Sequence, residues 1–310
     1  MTELINGVYA AVLFARDEQG RLNEAALIEQ LEFLLNRGIR NFAFNGATGE
    51  FCLTTQDDLR RSLRVASSLL PNSARFLCGA GAAGATESIA LATIGFEAGA
   101  KAVLLPMPYF FPYEQDDLDG FVRKLDSELS APILLYNLPR FTTGLETETV
   151  LKLVRECPHV IGIKDSSGSL TILRSLAQSG LPSVRIVGND SVLSQALVEG
   201  ICDCVVSGVA CVLPEIIQAM FAHKPGSEQF NVATIRLSEF IARIDALPVP
   251  WGLKAIAESR GINKATYALP VSARRAREIS ELKSWFADWM PRFIGADRAF
   301  QPNSAVSKEI

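Results

Sequence analysis

The stretch Val160-Ile161-Gly162-Ile163-Lys164-Asp165-Ser166-Ser167-Gly168 places a charged side chain at the end of an apolar run. A short, nearly continuous apolar segment closed by polar residues and glycine has the pattern of a strand buried on both faces. Seven other runs share that pattern: Gly7 to Ala15, Asn41 to Gly46, Arg75 to Gly81, Ala102 to Met107, Pro132 to Asn137, Arg185 to Asn189 and Cys202 to Gly208. Between them lie longer stretches such as Glu24 to Leu35, whose apolar positions recur at three- and four-residue spacing, as on one face of a helix. Thr55, Thr86, Ser169 and Ser191 stand where a helix start needs an oxygen to accept its exposed N–H groups. Eight strands, each followed by a helical pattern, predict an α/β fold of the closed parallel (β/α)8, or TIM, barrel type. A doubly wound open sheet is the alternative. Helical pattern continues through Phe230 to Ile244, Pro250 to Ser259 and Ser272 to Phe286, so additional C-terminal helices are expected. The predicted organisation is a catalytic barrel over residues 1–225, a helical extension packed on it over 226–295, and a flexible tail over 296–310.

Bulk composition narrows the function. The chain has 310 residues, 48% of them hydrophobic, enough for one full core. Its net charge is −4 and its basic residues are scattered, which argues against a nucleic-acid surface. Cys52, Cys78, Cys157, Cys202, Cys204 and Cys211 mostly sit in or beside apolar runs and read as buried, reduced thiols. No second Cys pair or nearby His completes a zinc set around Cys202 and Cys204, so no metal is expected. The N-terminus lacks the basic start and long apolar stretch of a signal peptide. The most apolar region, Ile89 to Pro112, is broken by Glu97, Lys101, prolines and glycines, so no membrane span is expected and the reading is cytoplasmic.

In a barrel of this kind, ligands meet the carboxyl ends of the strands and the loops that follow them. Lys164 is the lysine that ends a strand, whereas Lys101 begins one and Lys152 lies in a helical pattern. An apolar barrel wall disfavours the charged ammonium and favours the free amine, the form that attacks a carbonyl. A rim ion pair with Asp165, or a phosphate-binding lysine, are the other readings. Strand five ends Tyr136-Asn137-Leu138-Pro139, where a phenol relays protons or, alternatively, is a core tyrosine bonded to backbone. Strand two ends in Gly46-Ala47-Thr48-Gly49-Glu50, a tight loop whose N–H groups and hydroxyl suit a carboxylate, or else an ordinary turn.

Together these three strand ends resemble, in order and spacing, the dihydrodipicolinate synthase/N-acetylneuraminate lyase family, over roughly residues 5–265. The resemblance implies a barrel with C-terminal helices, a homo-oligomer (tetramer or dimer), and an imine between its lysine and pyruvate or another 2-oxo acid. It implies Lys164 as imine former and Tyr136 as proton-transfer residue. Thr48, with the loop N–H groups of Ala47 and Gly49, would hold the 2-oxo acid carboxylate, and Gly188 and Val206 would line the pocket. Metal and organic cofactors are not required, because the imine itself is the electron sink.

Two departures stand out. Ala47 replaces a hydroxyl residue that synthases of the family carry, and Phe110 stands where they have a tyrosine. Arg140 lies near the arginine that binds their second substrate, but one residue out of step. The resulting expectation is a lysine-imine lyase, of aldolase or dehydratase type, for sugar-acid or hydroxy-oxo-acid substrates. A genuine 4-hydroxy-tetrahydrodipicolinate synthase is the alternative. Barrels that bind a 2-oxo acid without catalysis, or a phosphorylated substrate without an imine, are the readings from other classes. Polar residues on the later loops, including Thr142, Thr143 and Asp190, are expected to set specificity.

Overall fold

The computed structural model describes residues 5–294. Eight strands close into one parallel barrel in chain order: β1 (Gly7–Ala11), β2 (Asn41–Phe44), β3 (Arg75–Gly79), β4 (Val103–Pro106), β5 (Ile133–Asn137), β6 (Val160–Asp165), β7 (Val184–Val187) and β8 (Cys204–Ser207). The closing pair is β1 with β8, where Gly7 faces Cys204 and Tyr9 faces Val206. A helix follows each strand: α1 (Glu24–Asn36), α2 (Gln56–Leu69), α3 (Ala85–Glu97), α4 (Gln115–Leu129), α5 (Thr147–Glu156), α6 (Thr171–Ser179), α7 (Leu193–Val198) and α8 (Pro214–Ala222). The closed barrel of the sequence reading is thus the fold, and the open sheet is not.

Alternation along the strands sorts the core into two layers. Tyr9, Leu77, Leu104, Leu134, Ile186 and Cys204 point inward and fill the barrel. Val103, Leu105, Ile133, Leu135 and Ile163 point outward and meet buried helix residues such as Leu31, Leu63 and Leu91. Both layers are nearly dry, which is why the strands read as unbroken apolar runs.

The helix starts follow local chemistry, with corrections. Thr55 caps α2 by accepting from the Asp58 N–H. Thr86 does not cap: α3 begins at Ala85, and its N-cap residue is Gly84, which has no side chain to accept from the first turn. Ser169 Oγ accepts the Thr171 N–H at the start of α6. Ser191 lies inside a short 3-10 turn, and Asn189 is the residue that caps it. The six cysteines are free, but Cys52 is exposed and Cys202 half-buried, against the buried reading for both.

Three more helices follow the barrel: α9 (Glu228–Ile244), α10 (Trp251–Ser259) and α11 (Ala273–Ile294). An aromatic cluster joins α9 to α11, with Phe240 6.2 Å from Phe286 and 6.0 Å from Trp289 between ring centroids. Burying rings of this size contributes about 1.5–3 kcal/mol each. Phe240, Trp251, Ile279 and Trp289 belong to the same apolar cluster as the barrel's outer layer, so these helices pack onto the barrel. Residues 251–257 of α10 are all buried. The tail expectation for residues 296–310 lies outside the described residues. Among the described residues no helix is long and apolar enough to cross a membrane.

Candidate active site

Strict alternation would point Lys164 the wrong way. Ile161 faces the barrel interior, so an unbroken strand would send residues 163 and 165 inward and Lys164 out among the helices. The β5–β6 register shifts at this point: Ile133 pairs with Val160, but the next residue, Leu134, pairs with Gly162. This one-residue bulge flips the parity of the rest of the strand. Lys164 then pairs with the inward-facing Tyr136 on one side and Ile186 on the other. Gly162 makes the bulge possible. Its φ is +152°, and a Cβ there would lie 2.1 Å from the Val184 carbonyl oxygen.

The inward-turned lysine enters a cavity of about 190 Å³ at the carboxyl ends of the strands. Ala47 and Thr48 line it from the loop after β2, Tyr136 from β5, Arg140 from the loop after β5, Gly188 from the end of β7, and Val206 from β8. Gly49 does not line it; its Cα faces the backbone of Val12 and Asn45. Lys164 is 4% exposed and Tyr136 2%. The Lys164 Nζ sits 3.9 Å from the centroid of the Tyr136 ring. Asp165 does not pair with Lys164. Its Oδ1 accepts instead from Asn137 Nδ2 at 3.0 Å and the Ser167 N–H at 2.9 Å. Burial pushes the Asp165 carboxyl above its usual range, and those donors oppose the shift.

Gly188 clears the lysine's path. A Cβ on it would lie 2.8 Å from Lys164 Cε and 2.2 Å from Ser166 Oγ. The Gly188 N–H donates to the Asp165 carbonyl at 2.8 Å, so the backbone cannot withdraw easily.

Asp190, one of the residues expected to set specificity, and Ser166, which the sequence did not single out, also line the cavity. Asp190 Oδ2 accepts from the Val209 N–H at 3.1 Å, while its Oδ1 and Ser166 Oγ are shielded from solvent and have no partner in the protein. Burial raises the Asp190 pKa; the Ser207 hydroxyl, the Val209 N–H and the Lys164 charge pull the other way. The folded chain therefore holds that proton to higher pH than the unfolded chain, and stability falls as pH rises above 3.8 through the folded value. Asp190→Asn, neutral at every pH, should gain Tm over the parent as pH is raised from roughly 4 to 8. A Tm difference independent of pH would refute this assignment.

Ile241 on α9, Asp245 just after it and Leu253 on α10 close one side of the cavity. Burial raises the Asp245 carboxyl, and the Arg140 charge across the mouth opposes it. Thr142 and Thr143 do not line the cavity: Thr142 Oγ1 bonds the Leu138 carbonyl, and Thr143 Oγ1 accepts the Tyr113 N–H. Phe110 is 85% exposed at φ +85° and stacks edge-on against Phe111.

A closed (β/α)8 barrel whose mouth holds a buried lysine, without an ion pair to a described residue, beside a tyrosine has the groups that a class I lyase, working through a lysine imine, requires. The dihydrodipicolinate synthetase family model matches residues 4–286, and the chain belongs to that family. The 4-hydroxy-tetrahydrodipicolinate synthase of Methanopyrus kandleri is 30% identical over 221 residues, 70% of this chain and 73% of the relative. That of Nitratidesulfovibrio vulgaris is 31% identical over 224 residues, 71% and 75% of the two chains. Among solved structures, dihydrodipicolinate synthase from Aquifex aeolicus superposes with a TM-score of 0.84 at 20% identity, covering 92% of this chain and 98% of its own. Ruminococcus gnavus sialic acid aldolase does so at 0.81 and 17%, covering 93% and 99%.

Proposed function

We propose that Lys164 forms the imine with a hydroxylated 2-oxo acid and that the reaction is an aldol cleavage or a dehydration. The observation that carries this reading is the lysine itself: 4% exposed, without an ion pair to a described residue, and lodged against Tyr136 in the cavity. Thr48 and the neighbouring N–H groups receive the substrate carboxylate, which sets the 2-oxo carbon beside the amine. The amine adds to that carbon, the carbinolamine loses water as the imine forms, and Tyr136 moves the protons. The imine then accepts the electron pair released when the C3–C4 bond breaks, or when a C3 proton leaves before loss of a C4 hydroxyl.

Three features favour a hydroxylated substrate. Ala47 brings no hydroxyl to the cavity, whereas Asp190 Oδ1 and Ser166 Oγ are shielded acceptors without partners. Buried polar atoms left unpaired are costly, and hydroxyls of a bound substrate would satisfy both once the side chains that shield them move aside. A second reading, 4-hydroxy-tetrahydrodipicolinate synthase, is favoured by Arg140 at the cavity mouth and by the activity for which the two relatives are named.

The test is a substrate panel: hydroxylated 2-oxo acids against pyruvate with aspartate semialdehyde. Turnover confined to the second pair would overturn the first reading in favour of the second. With the accepted substrate, Tyr136→Phe should lower kcat by about a hundredfold or more with KM little changed, as loss of a proton-transfer group does. Unchanged kcat in Tyr136→Phe would remove the tyrosine from the chemistry.

A further inference from the structure

Glu50 stands two residues beyond Thr48 and adopts a left-handed backbone, φ 53° and ψ 47°. That conformation is uncommon for a residue with a side chain and persists only where its surroundings enforce it. The Glu50 N–H donates to the Ala47 carbonyl at 3.0 Å, and its own carbonyl accepts the Leu53 N–H at 2.9 Å, so turns close on both sides of it. Its side chain is absent from the cavity lining. It is instead buried against two cations.

Lys254, on α10, donates to Glu50 Oε2 at 2.6 Å and to the Thr266 carbonyl at 2.9 Å. Arg16, on the loop after β1, holds its Nε 3.6 Å from the same carboxylate oxygen. The Arg16 carbonyl in turn accepts the Thr266 hydroxyl at 2.9 Å. The side chains of Lys254, Glu50 and Arg16 are 5%, 7% and 6% exposed. Burial lowers the Lys254 pKa, and the Glu50 charge and hydrogen bond oppose that lowering only in part.

Stability does not account for this cluster, because apolar side chains of similar volume serve as well as buried ion pairs or better. What a short, directed ion pair adds is position. Next to Lys254 in sequence, Leu253 lines the catalytic cavity. A Cβ built on Gly208 would meet Leu253 Cδ1 at 3.2 Å and Thr48 Oγ1 at 3.4 Å, so the two side chains flank one point.

We propose that Lys254 is a positioning residue whose buried ion pair with Glu50 ties α10 to the loop that receives the substrate's carboxylate. The ion pair holds Glu50 in its left-handed turn, and that turn sets Thr48 and its neighbouring N–H groups. The inference rests on the reading of Thr48 as carboxylate holder and Lys164 as imine former.

The test uses the full-length protein and Lys254→Met, which keeps volume and removes the charge. Pyruvate is titrated against borohydride trapping at Lys164, kcat is measured with the accepted substrate, and hydrogen exchange is followed over residues 46–53. Lys254→Met should raise half-saturating pyruvate about tenfold, with kcat changed far less, as a displaced binding group does. Exchange over residues 46–53 should quicken by a larger factor than that of the barrel strands, which report global stability. Half-saturation and loop exchange both within twofold of the parent would overturn the proposal. Should Lys254→Met not fold, Glu50→Gln, which retains volume and a hydrogen-bonding oxygen, is held to the same outcomes. If the parent forms no adduct with any 2-oxo acid, the imine reading fails, and loop exchange alone then decides the tether.

Discussion

Lys164→Met is expected to lower kcat by at least roughly a thousandfold, because no other group in the cavity can form the imine that takes up the electron pair. The same variant should keep its Tm. A rim lysine in a buried ion pair would behave oppositely, since removing one partner strands the other's charge at a cost of about 3–5 kcal/mol. No described carboxylate lies within ion-pairing distance of Lys164: Asp165 is bonded to Asn137 and Ser167 instead, and Asp190 feels the lysine's charge without a direct bond to it. Turnover and thermal unfolding of one variant therefore separate the two roles. A variant that unfolds early yet still turns over would return Lys164 to a structural part.

Gly188→Ala is the second large effect. The added methyl would lie 2.8 Å from Lys164 Cε and 2.2 Å from Ser166 Oγ, inside contact distance of both. The backbone is pinned by the Gly188 N–H bond to the Asp165 carbonyl at 2.8 Å, so the side chains must move. Displacing a nucleophile by an ångström costs on the order of a hundredfold in rate, and kcat should fall by about that much. Overpacking of this kind costs about 1–3 kcal/mol, so the variant should still fold. Imine trapping should slow but remain on Lys164. Wild-type turnover in a folded Gly188→Ala protein would show that the lysine does not pass this point during catalysis.

The barrel was legible because its strands are buried on both faces and its helices on one, which writes two periods into the chain. The C-terminal helices were legible for the same reason. The orientation of Lys164 was not. Alternation from Ile161 points it outward, and only the bulge at Gly162 turns it inward. A glycine inside an apolar strand is the local trace of that bulge, but it does not say which residue gains or loses a partner.

Pocket residues on the strand ends emerge from position alone, and Asp190, which follows β7, was expected among the specificity residues by the same logic. Asp245, Leu253 and Lys254 were not. They reach the site from the end of α9 and from α10, Lys254 meeting Glu50 across 204 residues of sequence, and no spacing rule encodes such a contact. A single lysine in the apolar segment 251–257 was the visible clue that a buried partner existed. The hydroxyls of Thr142 and Thr143 looked available from composition, but backbone groups use them: the Leu138 carbonyl accepts from Thr142, and the Tyr113 N–H donates to Thr143.

The most direct measurement is borohydride reduction in the presence of pyruvate, followed by peptide mapping with mass spectrometry. A reduced three-carbon adduct on Lys164, and none on Lys254, is the expected result. An adduct on Lys254, or no adduct with any of several 2-oxo acids, would contradict the assignment of Lys164 as the imine-forming residue.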